Sequence, residues 1–146
     1  MNIHQNNRVR LIRFLSKTAN NQNGNKLLYN VKFVGLTMER NLLYKRIDER
    51  VNKMIQDGLI EEVKSLQKEF VACRVLNTAI GYKEINQYLN HFISKNEAIE
   101  LIKKNSRHYA KRQYTWFNNK MDINWFDVNI DDFNQTIHNV EDFLNK

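Results

Sequence analysis

The chain contains no proline, only four glycines and one cysteine in 146 residues. Without proline no helix is ended by a ring that lacks an N–H, and few glycines leave few cheap reversals, so long uninterrupted helices are expected. A single cysteine, Cys73, excludes an internal disulfide and a thiolate metal cluster and fits a reducing cytosol. It lies between core-like residues and reads as a small hydrophobe. His4, His91, His108 and His138 have no ligand spacing, so no metal site is expected. No run approaches ~18 apolar residues, and Met1–Gln5 lacks the apolar segment of a signal peptide. The expectation is a cytoplasmic protein with no membrane partner.

Acidic residues are also missing, but only locally. Residues 1–38 carry six Lys/Arg (Arg8, Arg10, Arg13, Lys17, Lys26, Lys32) and no Asp or Glu. Residues 39–100 hold ten of each sign, 101–121 add six cations and again no acid, and 122–146 set one lysine against six acids. The net charge of +7 therefore sits in two basic blocks. If the fold brings them together they form one patch or clamp for a polyanion, with the acidic end held away. The alternative is two ordinary solvated faces. A hydrophobic share of 42% with 27% charged residues fits one folded soluble domain with a modest core.

Periodicity predicts a helix over about 6–19, carrying Val9, Ile12 and Leu15 on one face, then a polar break centred on Asn23-Gly24. Val31 to Leu36 reads as a buried strand. Thr37 or Glu39 opens a helical region whose stripe runs Leu43, Ile47, Val51, Met54/Ile55, Leu59, Val63, Leu66, Phe70, with a kink or boundary at Gly58. A short helix follows from about Tyr82 to Leu89, and a long one from Ser94 to about Asn118, opened by the capping-box pattern Ser94–Glu97. Ile123 to Val128 reads as a second strand and Asp132 to Leu144 as a closing helix. The expected fold is mainly α with a small β remnant, one portion over 1–146. It comprises a basic helix (1–20), a strand (31–38), a helical region (39–121) and an acidic strand–helix end (122–146).

Lys111-Arg112-Gln113-Tyr114-Thr115-Trp116-Phe117 interleaves cations with aromatic rings, a composition that can neutralise phosphates and stack on exposed bases. On the long helix, Lys104, Arg107, His108, Lys111, Thr115 and Asn118 share roughly a 100° arc. Ile99, Ile102, Tyr109, Ala110, Trp116 and Phe117 gather opposite. Trp116 and Phe117 are accordingly expected in the core, and Arg107, Lys111 and Arg112 at phosphates.

Taken in order, these segments resemble the bacterial tRNA dimethylallyltransferases. Ile3-His4-Gln5-Asn6-Asn7 with Arg10 and Arg13 is similar to that family's IHPNN-xx-R-xx-R segment, and Phe33-Val34-Gly35-Leu36 to the strand after it. Arg46-Ile47-Asp48-Glu49-Arg50-Val51, Met54 and Gly58 to Val63 resemble its long helix. Ala79-Ile80-Gly81-Tyr82-Lys83-Glu84 with Tyr88-Leu89 resembles its AIGYKE…YL segment, and Arg107 to Phe117 its R-x-YAKRQ-x-TWF signature. The resemblance spans residues 3 to about 127. It implies transfer of an isopentenyl group from dimethylallyl diphosphate to N6 of adenosine 37, beside the anticodon. The implied fold is the C-terminal part of an α/β phosphate-loop-type transferase.

The family's GxTxxGK(S/T) phosphate loop and the catalytic aspartate after it do not occur here, so the chain looks like the C-terminal half of such an enzyme. Gln5 stands for the usual proline, and Asn118 for the usual arginine after TWF, which removes one expected phosphate contact. The resemblance implies Mg2+ in the complete enzyme and none held by this chain alone. It implies contact with a tRNA anticodon stem-loop by Val9, Arg10, Leu11, Ile12 and Arg13, by Thr78, Ala79, Ile80, Gly81, Tyr82 and Lys83, and by Lys111, Arg112, Gln113, Tyr114, Thr115, Trp116, Phe117 and Asn118. Arg10 and Arg13, three apart, can grip adjacent phosphates. Gly81 permits close backbone approach; Tyr82 can stack on a base or pack the helix start. Arg46 and Arg50, one turn apart, face either a diphosphate or neighbouring acids such as Asp48 and Glu49. Three function classes follow. One is the tRNA-gripping half of a prenyltransferase, inactive alone and partnered by a separately encoded N-terminal half. The second is a stand-alone basic helical RNA-binding module without catalysis, and the third an interaction protein whose charge is merely solvated.

Overall fold

The computed structural model describes residues 31–70 and 74–145, and the chain divides into two compact units, Met1–Val31 and Lys32–Lys146. The expected basic helix, the Asn23-Gly24 turn and Cys73 lie outside the described residues. The second unit runs β1 (Phe33–Thr37), α1 (Arg40–Gln56), α2 (Leu59–Glu69), α3 (Arg74–Thr78), α4 (Tyr82–Leu89), α5 (Lys95–Lys120), β2 (Ile123–Asp127) and α6 (Phe133–Leu144). It is mainly helical with a small sheet, as expected.

Local chemistry sets the boundaries. The Glu39 carboxylate accepts from the N–H groups of Asn41 and Leu42 at 3.0 Å each and so starts α1. Gly58, at φ 103°, takes the left-handed turn that separates α1 from α2, so the expected interruption is a true boundary. Ser94 and Glu97 form the expected capping box at the start of α5, with Ser94 N–H donating to Glu97 at 2.7 Å and Glu97 N–H to Ser94 Oγ at 3.2 Å. The short α3 had no periodic signal over its five residues and was not expected.

The core is small: Val51, Leu59, Val63, Leu76, Ile85, Ala98 and Ile102, drawn from α1 to α5. The apolar stripe read across Gly58 supplies three of these residues, because both helices it crosses turn the same face inward.

β1 and β2 pair in parallel, Phe33 opposite Ile123 and Thr37 opposite Asp127. Parallel neighbours need a crossover, and here α1 to α5 provide it. Gly35 lies opposite Trp125, and a Cβ on Gly35 would sit 2.5 Å from the indole. Glycine is therefore what lets this ring lie over the strand. The indole then stacks on Tyr114 of α5 (centroids 4.6 Å apart) and donates to Asn118 Oδ1 at 2.8 Å. α6 closes the unit with Phe143 edge-on to Phe126, and Lys32 Nζ donates to the carbonyls of Phe143 and Leu144.

Candidate nucleic-acid interface

α1 and α5 lie side by side, and the segment between α3 and α4 closes one end of the groove they leave. The result is a cleft of about 760 Å³ lined by Arg50 of α1, by Thr78, Ala79 and Ile80, and by Ser106, Tyr109, Arg112 and Gln113 of α5, over a floor that includes Ile47, Val51 and Ile102. Three segments singled out separately in the sequence thus meet at one surface. A second hollow of about 400 Å³, bordered by the same Leu43 and Ala110, is lined by Arg40, Tyr44, Lys111, Tyr114 and Thr115. Cations therefore stand on both sides of the α1–α5 seam: Arg50 and Arg112 in the cleft, Arg40 and Lys111 in the hollow. Water in open grooves solvates these cations, and a polyanion laid across the seam would exchange that water for phosphate oxygens.

The individual residues sort differently from the sequence reading. Arg46 is exposed and lines neither hollow, whereas Arg50, one turn on, lines the cleft. Asp48 does not pair with them. Its carboxylate accepts from Arg107 at 2.5 Å, a half-buried bridge from α1 to α5. Arg107 therefore has a packing use that its place on the basic arc did not suggest. Arg112 carries its guanidinium 5.7 Å from the Tyr109 ring centre.

Two expectations about α5 are corrected. Trp116, expected in the core, is 54% exposed, and Phe117, expected there too, is half-buried, lies outside the core cluster and meets Trp116 edge to face at 5.1 Å; Tyr109 is 50% exposed as well. The cause is length. At ~1.5 Å per residue, α5 spans ~39 Å and runs well past the small core, so only Ala98 and Ile102 in its first half are fully buried. Tyr114 and Asn118 are turned to Trp125, the first stacking on the indole and the second accepting its N–H.

Around the α3–α4 segment, Gly81 is buried at φ 95°, ψ −59°, a conformation that only glycine takes cheaply. Tyr82 packs against the core, and its hydroxyl donates to Glu62 Oε1 at 2.5 Å. That bond, with burial and the charge of Glu62 adding to it, raises the phenol above its ordinary range. Of the two roles open to Tyr82, helix-start packing is the one seen. Thr78 and Lys83 are exposed, and the Thr78 hydroxyl donates to Arg74 O at 2.9 Å. Val9 to Arg13 lie outside the described residues. Among the described residues no group of three or more His, Cys, Asp or Glu is placed to hold a metal ion. The sequence reading missed Arg40, Tyr44 and Ser106, none of which carries a local signal; only the packing of α1 on α5 aligns them.

Against known proteins, residues 1–120 match the family model described as IPP transferase. The chain is 51% identical to the tRNA dimethylallyltransferase of Bacillus mycoides (strain KBAB4), over 86% of this chain and 43% of the relative. It is 45% identical to that of Anoxybacillus flavithermus, over 95% and 49%. Among solved structures it resembles the tRNA isopentenylpyrophosphate transferase of Bacillus halodurans, at 42% identity and TM-score 0.75, covering 98% of this chain and 46% of that one. The Staphylococcus epidermidis counterpart gives 37% and TM-score 0.72, over 80% and 38%. The chain spans about half the length of the curated relatives it matches.

Proposed function

The chain belongs to the IPP transferase family, and from that premise we propose that it is the tRNA-binding part of a tRNA dimethylallyltransferase. One juxtaposition supports the reading. Arg50, the Thr78–Ile80 segment and the Arg112–Gln113 pair, far apart in sequence, line a single cleft beside a second cationic hollow. An anticodon stem-loop seated there would place phosphates on Arg112 and Lys111 and bring an unstacked base to the cleft.

In the transfer, the adenine N6 attacks C1 of dimethylallyl diphosphate, the C1–O bond breaks, and the diphosphate leaves as N6 gives up a proton to a base. This chain's part is positioning and charge. Arg50 in the cleft would stabilise the negative charge that grows on the leaving diphosphate, with Arg46 further out. Mg2+ in the complete enzyme would supply further charge stabilisation at the leaving diphosphate; among the described residues no group of three or more His, Cys, Asp or Glu is placed to hold it. The phosphate loop and catalytic aspartate that the resemblance calls for are absent from this sequence. Residues 1–146 alone should therefore show no turnover, and a separately supplied N-terminal half should restore it. A reducing cytosol suits the single cysteine, and no described helix is long and apolar enough to cross a membrane.

The test is prenyl incorporation into tRNA from labelled dimethylallyl diphosphate, measured with this chain, with the N-terminal half of a relative, and with both. Activity only in the mixture supports the reading. Turnover by this chain alone overturns the inactivity, and silence of the mixture with retained RNA binding favours a stand-alone binding module.

A further inference from the structure

A carboxylate fastens the wall of the cleft from behind. Glu84 is 2% exposed, and both its oxygens are engaged: Oε2 accepts from Gly81 N–H at 2.9 Å and Oε1 from Asn105 Nδ2 at 2.7 Å. Neither ion pair found among the described residues involves it. Burying so polar a side chain is costly, and closing one turn of helix does not require it, since an exposed cap serves. What this carboxylate adds is a bridge. Gly81 follows the Thr78–Ile80 part of the lining, and Asn105 precedes Ser106 on α5, two turns before Arg112 and Gln113 of the α5 part. The other end of the segment is fastened separately, by Asn77 Oδ1 accepting from Asn86 Nδ2 at 3.0 Å, with Asn86 in turn bonded to Gln67 of α2.

Resting on the RNA-binding reading above, we propose that Glu84 and Asn105 are positioning residues whose hydrogen bond sets the distance between these two parts of the lining, and with it the preference for a folded RNA loop over unstructured strand. Neither touches the ligand. Their bond holds Thr78–Gly81 in one place before RNA arrives, so recognition of a shaped loop is preorganised, while the exposed cations attract any polyanion.

The experiment compares binding of an RNA stem-loop and of a single-stranded RNA of the same composition, at a temperature where each variant is fully folded. Glu84→Gln should bind as the parent does, because its amide oxygen can accept from Gly81 while the Asn105 amide turns over to accept from the new N–H. Asn105→Asp sets two carboxylates against each other. It should lose about tenfold in stem-loop affinity with single-strand affinity unchanged. The double variant Glu84→Gln/Asn105→Asp restores a donor–acceptor pair and should regain the preference. A role in stability alone would leave both affinities unchanged in the folded variants and appear only as a lower melting temperature. Equal binding by folded Asn105→Asp, or a loss that the double variant leaves unrepaired, overturns the proposal. If Asn105→Asp does not fold, Asn105→Ala carries the same comparison, and an unchanged preference there is equally fatal. A parent chain that binds neither RNA refutes the binding reading itself, and this proposal with it.

Discussion

Gly35 holds up a chain of contacts through its missing side chain. The indole of Trp125 occupies the space of its Cβ, Tyr114 stacks on that indole, and Asn118 accepts its N–H. Gly35→Ala forces the ring away, and overpacking of this kind costs about 1–3 kcal/mol. Trp125 emission, read in a Trp116→Phe background, should shift to longer wavelength as the ring gains water; unchanged emission would refute the packing. The cations divide in a similar way. Lys111→Ala/Arg112→Ala should lower the log–log salt slope of RNA binding by about two, one per lost phosphate contact. Arg107→Ala should leave the slope nearly unchanged and lower the melting temperature, because its charge is spent on Asp48. A slope that falls only in the Arg107 variant would reverse these roles.

Among the elements, α5 lines both hollows and contributes more residues to them than any other element, and its start is chemically defined. Hydrogen bonds from the Ser94 backbone and from the Ser94 side chain hold the Glu97 carboxyl below its ordinary range. A carboxyl depressed in the folded state contributes stability that is fully present above its unfolded pKa and disappears as pH falls through the folded one. The melting temperature should therefore drop on acidification through the carboxylate range. Ser94→Ala, which removes only the side-chain partner, should start from a lower melting temperature and show a shallower drop, checked by thermal melts across that range. The capping box was legible because its four residues are contiguous. α3 was not: five residues give no period, and they become a helix because Leu76 is buried and Asn77 is tied to α4.

At the scale of the whole molecule, the sheet among the described residues has two strands and leaves apolar groups uncovered. Val34 and Leu36 of β1 and Phe133 and Ile137 of α6 are all exposed, and with Val140 they border an apolar hollow of about 380 Å³. Two parallel strands rarely stand alone, since parallel sheets are covered on both faces. The unit is therefore expected to self-associate at high concentration and to become monomeric when an N-terminal half completes the sheet. Sedimentation of the chain with and without that half measures this, and a monomer at high concentration with a sharp thermal transition would count against it.

Sequence alone determined the helix boundaries that rest on contiguous signals, at Glu39, Gly58, Ser94 and Asp132, and the family, because ordered motif blocks survive without any knowledge of packing. It also located both strands, from β-branched and aromatic runs bounded by turns. Tertiary structure decided what each side chain faces. Arg46 and Arg50 are alike in sequence, yet only Arg50 lines the cleft. Trp116 sits on the apolar side of a helical wheel but beyond the reach of a core too short to cover α5. The wheel fixes a direction around the helix axis. How far along that axis another element lies is set by the packing of residues distant in the chain, and no local pattern encodes it.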